Sequence, residues 1–335
     1  MTYSVGGLIQ ATDYNGFANN TAGANVNSVW GIGSGDAGYG QTALGTVAAG
    51  GTVTAVQWAN LNNRIASMAN HQGTAITSRT NPVATDLIEI QSAINTDLTN
   101  VTTGRGNAVA SGTTSSTWSG NISRTLSTGS GTSAWSIDWT HIVEFPSLAQ
   151  QRYFWNAGGL IRLDMSKTST GTDADSEWNT LVGNVGALFI SGRVNSANQT
   201  IAGTTYTGFT RIGGSGTPSP FLTTLGWYQL DPLGAQTNAF QLNDSSSPYS
   251  GNYIRVTLQN NNSSYPNGAL VIRTYWNSAG SSGVGTSANI SGGTATSSPF
   301  SSFGTAPTVL CRFITPSTTY LTNTWGTPNL VTGVT

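Results

Sequence analysis

The stretch of residues 151–165 reads Q-R-Y-F-W-N-A-G-G-L-I-R-L-D-M and is the strongest guide to the fold. Its aromatic triplet, residues 153–155, leads into a polar turn at 156–159, and an alternating apolar and polar strand follows. Because glycine tolerates a positive φ, the Gly-Gly pair predicts a hairpin or a tight corner between two apolar runs. Aromatic rings bury a large area per residue, so we expect the triplet to anchor a rigid β core.

Charge is scarce throughout the chain. Charged residues make up 7% of the 335 residues, against about 25% in an average globular protein. Lys+Arg number 12 and Asp+Glu 13, which leaves a formal net charge of −1. Charges protect a surface against association, so we expect partners, above all copies of the same chain, to cover much of this surface. The sequence has no basic cluster that would bind phosphates, which argues against a nucleic-acid partner.

The only cysteine, Cys311, lies in the apolar run V-L-C-R-F-I and is expected to be a small buried hydrophobic residue. A single cysteine excludes a disulfide within the chain.

No apolar run approaches the ~18 residues of a membrane span, so we expect no membrane insertion. The N-terminus has neither the basic region nor the apolar region of a signal peptide, and we therefore expect assembly in a cytoplasm.

The N-terminal third combines a glycine-rich segment with two predicted helices. We expect residues 1–52 to form an extended arm that packs on neighbouring subunits. The glycine loop at residues 30–40 lacks the ending of a phosphate-binding P-loop. Thr54 and Gln57 form a capping box, and the apolar spacing that follows predicts a helix over residues 55–71, which Gly73 ends.

A second capping box, Asp86 with Glu89, predicts another helix to about Val101. Its apolar side chains follow the spacing of a packed helix seam; they are Leu87, Ile90, Ile94, Leu98 and Val101. Two arrangements are compatible with this seam: a helical hairpin that closes on itself, or a short bundle around an oligomer axis. We place a domain boundary near residue 105, with a helical attachment region at 1–105 and a second domain at 106–335.

From residue 106 onward the apolar period changes to two, which predicts strands. The two clearest strands cover residues 253–259 and 269–276, and Arg255 and Arg273 are expected to share a face. Other strands are expected at 134–139, 141–145, 187–190, 206–212, 226–230, 239–242 and 309–314. Short strands separated by Gly and Pro turns predict a mainly β chain with a C-terminal antiparallel β-sandwich.

Few side chains suggest a metal or cofactor. Asp173, Asp175 and Glu177 open a predicted helix over residues 173–184, where acids complement the helix dipole. The alternative for these acids is calcium, although the glycine and the distal glutamate of an EF-hand are missing. His71 falls near a helix C-terminus, where an imidazolium would interact well with the dipole. His141 is expected to be a core or interface histidine whose hydrogen bonds are satisfied. We expect no cofactor.

The sequence does not contain a recognisable catalytic set. The two histidines are far apart and lack an evident nucleophile or carboxylate partner, and the paired acids Asp138 and Glu144 have no cleft signature around them. We therefore expect a protein that is not an enzyme. Aromatic pairs can stack on sugars, and the candidates for such a glycan platform are Trp227, Tyr228, Tyr275 and Trp276.

Five motifs carry a family resemblance. R-Y-F-W-N-A-G-G-L-I-R-L-D-M-S at 152–166, S-E-W-N-T-L at 176–181 and G-A-L-F-I-S at 186–191 resemble β-rich structural proteins of tailed bacteriophages. V-G-G-L-I-Q-A-T-D-Y-N-G-F at 5–17 and S-V-W-G-I-G-S-G-D-A-G-Y-G-Q at 28–41 look like virion proteins of marine and cyanobacterial tailed phages. The resemblance defines no catalytic residue.

The resemblance implies a virion component of the tail fibre, the neck or collar, or the baseplate. Such a protein would be oligomeric, with a homotrimer as the state expected by analogy, and its N-terminal region would attach it to other virion proteins. It would assemble in the host cytoplasm and be released by lysis. The alternative is a receptor-binding adhesin that recognises host cell-surface glycans through the C-terminal β domain.

Overall fold

The chain combines antiparallel β-sheets with five α-helices in the residues that its computed structural model describes. These residues are 10–20, 23–33, 38–83, 92–108, 118–119, 135–167, 173–191, 199–201, 204–206, 211–212, 217–218, 237–245, 249–260, 269–278, 290–291, 294–295 and 307–330. The helices are α1 (Ala11–Ala18), α2 (Ala55–Gln72), α3 (Ser92–Gly104), α4 (Leu148–Asn156) and α5 (Asp173–Val185). None of the helices in these ranges is long and apolar enough to cross a bilayer.

The described strands form two large sheets and two small hairpins. The strands are β1 (Trp118–Ser119), β2 (Trp135–Glu144), β3 (Leu160–Ser166), β4 (Ala187–Ser191), β5 (Gln199–Ile201), β6 (Thr204–Tyr206), β7 (Arg211–Ile212), β8 (Thr217–Pro218), β9 (Thr237–Asn243), β10 (Tyr253–Asn260), β11 (Ala269–Ser278), β12 (Ile290–Ser291), β13 (Thr294–Ala295), β14 (Thr308–Ile314) and β15 (Asn329–Leu330). The first sheet has the order β1-β14-β3-β4-β7, and the second has the order β15-β2-β11-β10-β9-β8. The hairpins pair β5 with β6 and β12 with β13.

Most predicted strands are found close to their expected positions. The strands expected at 253–259 and 269–276 are the antiparallel neighbours β10 and β11, and Arg255 and Arg273 do lie on the same face. The two short strands expected between 134 and 145 form one continuous strand, β2. The strand expected at 226–230 lies outside the described residues.

The aromatic stretch at residues 151–165 forms a helix and a corner, followed by a strand. Residues 153–155 lie on α4, which begins after Ser147, whose side chain accepts a hydrogen bond from the amide of Gln150. Gly158 then adopts a φ of 96°, and the Gly159 amide donates to the Phe154 carbonyl at 2.7 Å. The predicted tight corner is therefore present, and Phe154 and Trp155 are buried in the core as expected.

Helix α2 begins and ends where the sequence predicts. The Thr54 amide donates to Oε1 of Gln57 at 2.8 Å, and the Thr54 hydroxyl accepts from the Gln57 amide. Gly73 ends the helix in the left-handed region, with a φ of 66°. The observed helix extends one residue beyond the predicted end, because Gln72 still has helical geometry.

The expectation of an extended arm that packs on neighbouring subunits was wrong for residues 11–18, which are helical, and for the side chains between 11 and 39 that are buried within the same chain. Residues 11–18 form α1, whose Tyr14 and Phe17 rings lie edge-on to Trp58 of α2 at 5.9 Å and 6.0 Å. Val29 and Tyr39 are likewise fully buried within the same chain. Aromatic burial of this size stabilises a local helical core, so these side chains are not available to a neighbouring subunit.

The predicted seam of the second helix packs inside the chain. Ile94, Leu98 and Val101 on α3 are 3%, 1% and 0% exposed and join the same buried cluster as α2, so an oligomer seam built from these three was wrong. Their burial against the same cluster as α2 favours the helical hairpin for these three residues. Leu87 and Ile90, together with the capping pair Asp86 and Glu89, lie outside the described residues.

One hydrophobic cluster contains residues from both sides of the proposed boundary at residue 105, from Ala11 to Trp325. Polar contacts also cross that boundary. Asn156 Nδ2 donates to the Gly38 carbonyl at 2.8 Å, and Gln41 exchanges hydrogen bonds of 2.8 Å and 2.9 Å with the Thr322 backbone. The N-terminal region therefore packs directly on the later part of the chain, while the boundary itself stays a prediction.

Candidate functional site

Trp276, one of the predicted sugar-stacking residues, belongs to a buried cluster of tryptophans. It projects from β11 and is 0% exposed. Its ring is parallel to that of Trp178 on α5 at 5.6 Å, and the Trp139 ring of β2 lies 5.4 Å away. A ring without exposed surface has no face for a sugar, so the stacking prediction for Trp276 was wrong. The cluster instead fixes α5 against the second sheet.

Tyr275 points to the opposite, outer face of the second sheet, because side chains alternate along a strand. Register places Gln241, Arg255, Tyr275 and Asp138 directly across four neighbouring strands, and we name these four residues the outer row. All four are half-buried. The Arg255 guanidinium also lies 4.6 Å from the ring centre of Tyr253. Trp227 and Tyr228 lie outside the described residues.

Asp138 and Glu144 do not form a catalytic pair. Both side chains leave the same face of β2, since they are an even number of residues apart. Their Cα atoms are six residue steps apart along the strand, which is a distance of roughly 20 Å. The two carboxyl groups of a glycosidase lie about 5–10 Å apart. The distance between these two carboxylates is therefore too large for a glycosidase pair.

His71 sits at the contact between α2 and the α4–β3 corner. Its Nε2 lies 2.9 Å from the Ala157 carbonyl, so this nitrogen carries the proton and donates it. The ring also meets Tyr39 edge-on at 5.3 Å. Burial lowers the pKa of His71 to about 4, partly opposed by the Ala157 hydrogen bond. The ring is therefore neutral, and the expected imidazolium at the helix end was wrong.

His141 is completely buried on the inner face of β2, as expected. Burial lowers the pKa of His141 to about 4, partly opposed by the nearby backbone of Val309 on β14. Neither ring nitrogen makes a hydrogen bond of good geometry, so the expectation that the hydrogen bonds of His141 are satisfied was wrong. No group of three or more His, Cys, Asp or Glu side chains that could hold a metal occurs among the described residues.

Two further reactive groups are shielded. Cys311 is 0% exposed, and burial together with the Asp164 charge raises the pKa of its thiol. This agrees with the expected role as a small buried hydrophobic residue. Lys167, which follows β3, is 8% exposed, and burial lowers its pKa to about 8. Neither residue lines the groove between α5 and the end of β9.

A groove of about 370 Å³ lies between α5 and the end of β9. Helix α5 contributes four residues at positions i, i+3, i+4 and i+7, which form one stripe along the helix; they are Glu177, Thr180, Leu181 and Asn184. The end of β9 and the residues after it contribute the opposite wall, which consists of Leu242, Asn243, Asp244 and Ser245. We name these eight residues the α5–β9 groove.

The groove combines a small apolar floor with a polar rim. Leu181 is buried and Leu242 half-buried, whereas Thr180, Asn184 and Ser245 are exposed. Asp244 is 8% exposed, and its amide donates to the Asn252 carbonyl at 2.9 Å, which fixes the strand end. No lysine, arginine or histidine is among the described lining residues. The rim is therefore rich in hydrogen-bond acceptors.

The acids at the start of α5 are only partly described. Helix α5 spans Asp173–Val185, in agreement with the predicted helix. The side chains of Asp173 and Asp175 lie outside the described set, and Glu177 is half-buried in the groove. Calcium at these three acids stays a hypothesis.

The exposed side of α2 carries no charge. We define its uncharged face as the exposed residues Val56, Asn60, Asn63 and Asn70 of α2 with Asn81 and Val83 of the following segment. Asn81 Nδ2 donates to Asn63 Oδ1 at 2.7 Å, so the segment that follows α2 runs back along this helix. Val56 is 69% exposed and Val83 is 65% exposed.

The two cations of this region turn inward. The Arg64 guanidinium lies 4.5 Å from the centre of the Trp30 ring. Arg79 forms an ion pair with Asp97 of α3, and these two side chains are 9% and 2% exposed. Surface helices of independent monomers normally display such charges to water. The stretch 53–83 contains two charged residues, Arg64 and Arg79. Both side chains contact other parts of the chain and do not lie on the uncharged face.

Sequence reasoning missed both the groove and the uncharged face. The spacing of Glu177, Thr180, Leu181 and Asn184 was visible as a helix stripe, but the opposite wall comes from a strand far along the chain. The chain matches no protein-family model, no curated protein and no solved structure.

Proposed function

We propose that the chain is a non-enzymatic structural component of a tailed-phage virion, in the tail fibre, the neck or collar, or the baseplate. In this proposal the N-terminal region attaches the chain, and copies associate as a homotrimer by analogy with fibre proteins. The observation that carries the proposal is the uncharged face of α2. An exposed helix face with two large apolar side chains and no charge favours association with other protein surfaces.

Burial of this face in an oligomer would remove apolar surface from water without desolvating a charge. Val56 and Val83 would contribute about 25 cal/mol for each Å² that they bury. The asparagines around them can exchange hydrogen bonds with the same residues of another copy, because an amide is both donor and acceptor. The low charge of the whole chain, 7%, extends the same property to its other surfaces.

We also propose that the two large sheets are the layers of a C-terminal β-sandwich, and that the chain is mainly β. His141 on β2 lies beside the Val309 backbone on β14, and these strands belong to different sheets. Trp139, Leu163 and Cys311, from inner faces of the two sheets, belong to one hydrophobic cluster. Sandwiches of this kind are common in rigid extracellular and virion proteins, where they carry loops at their ends.

The test of the proposed function has two parts. Mass spectrometry of purified, intact virions is expected to find this chain, and antibody labelling in electron micrographs is expected to place it on the tail, neck or baseplate. The native mass of the purified chain is expected to be a multiple of 34.7 kDa, the mass of one copy. A chain that is absent from virions contradicts the virion role, and a single-copy mass contradicts the oligomeric state.

A second candidate function is an adhesin for host-surface glycans, favoured by the outer row. Tyr275 and Arg255 lie side by side there, with Gln241 and Asp138 at the two ends. Aromatic rings flanked by hydrogen-bonding side chains are common in sugar-binding surfaces. Binding of the purified chain to host cells, before and after enzymatic removal of their surface polysaccharide, tests this candidate.

A further inference from the structure

Four polar side chains lie next to one another on the inner face of the second sheet. Trp139 and His141 belong to β2, and Thr274 and Trp276 belong to β11. Trp139 is directly opposite Thr274, and the other two residues lie diagonally beside this pair, each two positions further along its strand. All four are at most 1% exposed. We name them the inner polar cluster.

The polar atoms of this cluster have no hydrogen-bond partner among the residues that the structure describes. They are the indole nitrogens of Trp139 and Trp276, the Thr274 hydroxyl and both ring nitrogens of His141. The Val309 backbone lies beside His141 without good geometry for a bond. Native proteins leave few buried polar atoms unpaired, because the loss of their bonds to water is unfavourable. So many in one place indicate a shared partner that is not a side chain.

The chemistry of the cluster requires a neutral partner that both donates and accepts hydrogen bonds. Burial lowers the pKa of His141 to about 4, so its ring is neutral at pH 7 and has one donor and one acceptor nitrogen. The indoles donate only, and the Thr274 hydroxyl does both. A metal ion binds acceptors alone and an anion binds donors alone, so neither satisfies the whole cluster.

The surroundings of the cluster restrict the partner to a very small molecule. Thr274 is a short side chain between the large rings of Trp139 and Trp276, and the residue opposite it on β10 is Val256, which is equally short. The space above these two short side chains is therefore narrow, and the rings enclose it. Water has the required size and chemistry. Globular proteins hold about one buried water for every 27 residues, and each makes about three hydrogen bonds to polar groups that otherwise lack a partner.

We propose that the inner polar cluster binds an ordered water molecule that hydrogen-bonds to His141, Thr274 and Trp139 at the same time. The water donates to the acceptor nitrogen of His141, exchanges a bond with the Thr274 hydroxyl and accepts from the Trp139 indole. Because His141 also lies beside Val309 of β14, this water sits where the two large sheets meet. The inference concerns the interior of the chain and does not depend on the proposed virion function.

The experiment is a crystal structure of the full chain at a resolution that shows ordered waters, together with two variants. In the wild-type chain we expect a water about 2.7–3.2 Å from a His141 ring nitrogen and from Thr274 Oγ1. Thr274→Val keeps the side-chain shape but replaces the hydroxyl by a methyl group, and we expect this water to be lost. Thr140→Val is the matched control, because Thr140 is a buried threonine on the opposite face of β2, and this variant is expected to keep the water.

The urea midpoint of unfolding separates a hydrated hydroxyl from an unpaired one. If the Thr274 hydroxyl bonds to the water, Thr274→Val breaks that bond and leaves the water's other partners unpaired, so the midpoint falls. If the hydroxyl is unpaired, valine is the better buried residue and the midpoint rises. A raised midpoint therefore overturns the proposal. A wild-type map without a water between His141 and Thr274 overturns it as well, whether or not the variant folds, and so does a water that Thr274→Val leaves in place.

Discussion

Gly40 lies at a point where the N-terminal segment passes directly over α4. Its φ is 71°, and a Cβ atom at this position would overlap with the ring of Tyr153. The Gly40 amide donates to the Gly31 carbonyl at 2.8 Å, so the backbone has little freedom to move away. The close approach therefore requires glycine for two independent reasons, its left-handed conformation and the lack of a side chain.

We expect Gly40→Ala to lower the free energy of unfolding by about 2–4 kcal/mol, from the left-handed strain and the overlap with Tyr153. Gly50→Ala is the matched control, because Gly50 has a similar φ of 77° with nothing within 4 Å of the added Cβ. The control is expected to lose only about 1–2 kcal/mol, the strain alone. Urea unfolding followed by tryptophan fluorescence measures both values. Equal losses would show that Tyr153 does not constrain Gly40.

The role of Gly40 could not be predicted from its neighbours in the sequence. The stretch 30–40 was recognised as a glycine loop, but the ring that restricts it belongs to a helix more than a hundred residues later. The burial of a residue was easier to predict where its neighbours in the sequence show the pattern of a strand. Cys311 was placed in a buried strand from the apolar run around it, and His141 was placed on an inner strand face from the alternation of its neighbours.

At the scale of elements, local signals were reliable where they were strong. Thr54, Gln57 and Gly73 define both ends of α2, because caps and the left-handed end act within one helical turn. The aromatic triplet at 153–155 was harder to place. Its side chains would suit a buried strand or a buried helix equally well, and a short apolar run has no period long enough to separate the two.

The uncharged face of α2 gives a prediction at this scale. Val56→Asp puts a carboxylate at its most exposed apolar residue, and burial of an unpaired charge is unfavourable. We expect the dissociation constant of the oligomer to rise at least about a hundredfold, a change of roughly 3 kcal/mol. Native mass spectrometry across a dilution series measures the shift towards single copies.

Val56→Thr is the control for this experiment, because threonine has nearly the same shape as valine and adds no charge. It is expected to remain oligomeric over the same dilution series. If the Val56→Asp variant also keeps the wild-type mass at every concentration, the uncharged face is not an interface, and self-association must use another surface.

At the scale of the whole molecule, the two buried histidines make the free energy of unfolding depend on pH. Both pKa values fall from 6.5 to about 4 on folding. Above pH 6.5 the rings are neutral in the folded and unfolded states, so neither costs stability. As the pH falls from 6.5 towards 4, the unfolded chain binds protons that the folded chain rejects, and stability is lost. Between pH 7 and pH 5 the loss is about 2 kcal/mol for each histidine.

Urea unfolding at pH 7, 6 and 5 measures this loss, and removal of one histidine at a time separates the two contributions. His71→Gln keeps a donor for the Ala157 carbonyl, and His141→Leu fills an apolar site. Each variant is expected to lose about 2 kcal/mol less than the wild-type chain between pH 7 and pH 5. Identical pH profiles for the wild-type chain and both variants would contradict the neutral, buried state of the rings.

The whole-molecule arrangement was the part that the sequence predicted least well. An arm rich in Gly, Ala and Asn looks extended, because its apolar residues are sparse and have no clear period. Tyr14, Phe17 and Tyr39 nevertheless find partners on α2 and near the α4–β3 corner. Such burial depends on contacts between distant parts of the chain, and local spacing contains no information about them.

The hydrogen bonds between Gln41 and Thr322 join residues that are 281 positions apart in the chain. A ribosome adds about 5–20 residues per second, so Gln41 waits at least ~14 s after its own synthesis before Thr322 exists. During that interval the side chains around Tyr39 lack part of their final surroundings. The contacts around Gln41 are therefore completed only after Thr322 has been synthesised, and nascent chains would benefit from a chaperone that shields α1 and α2 until then.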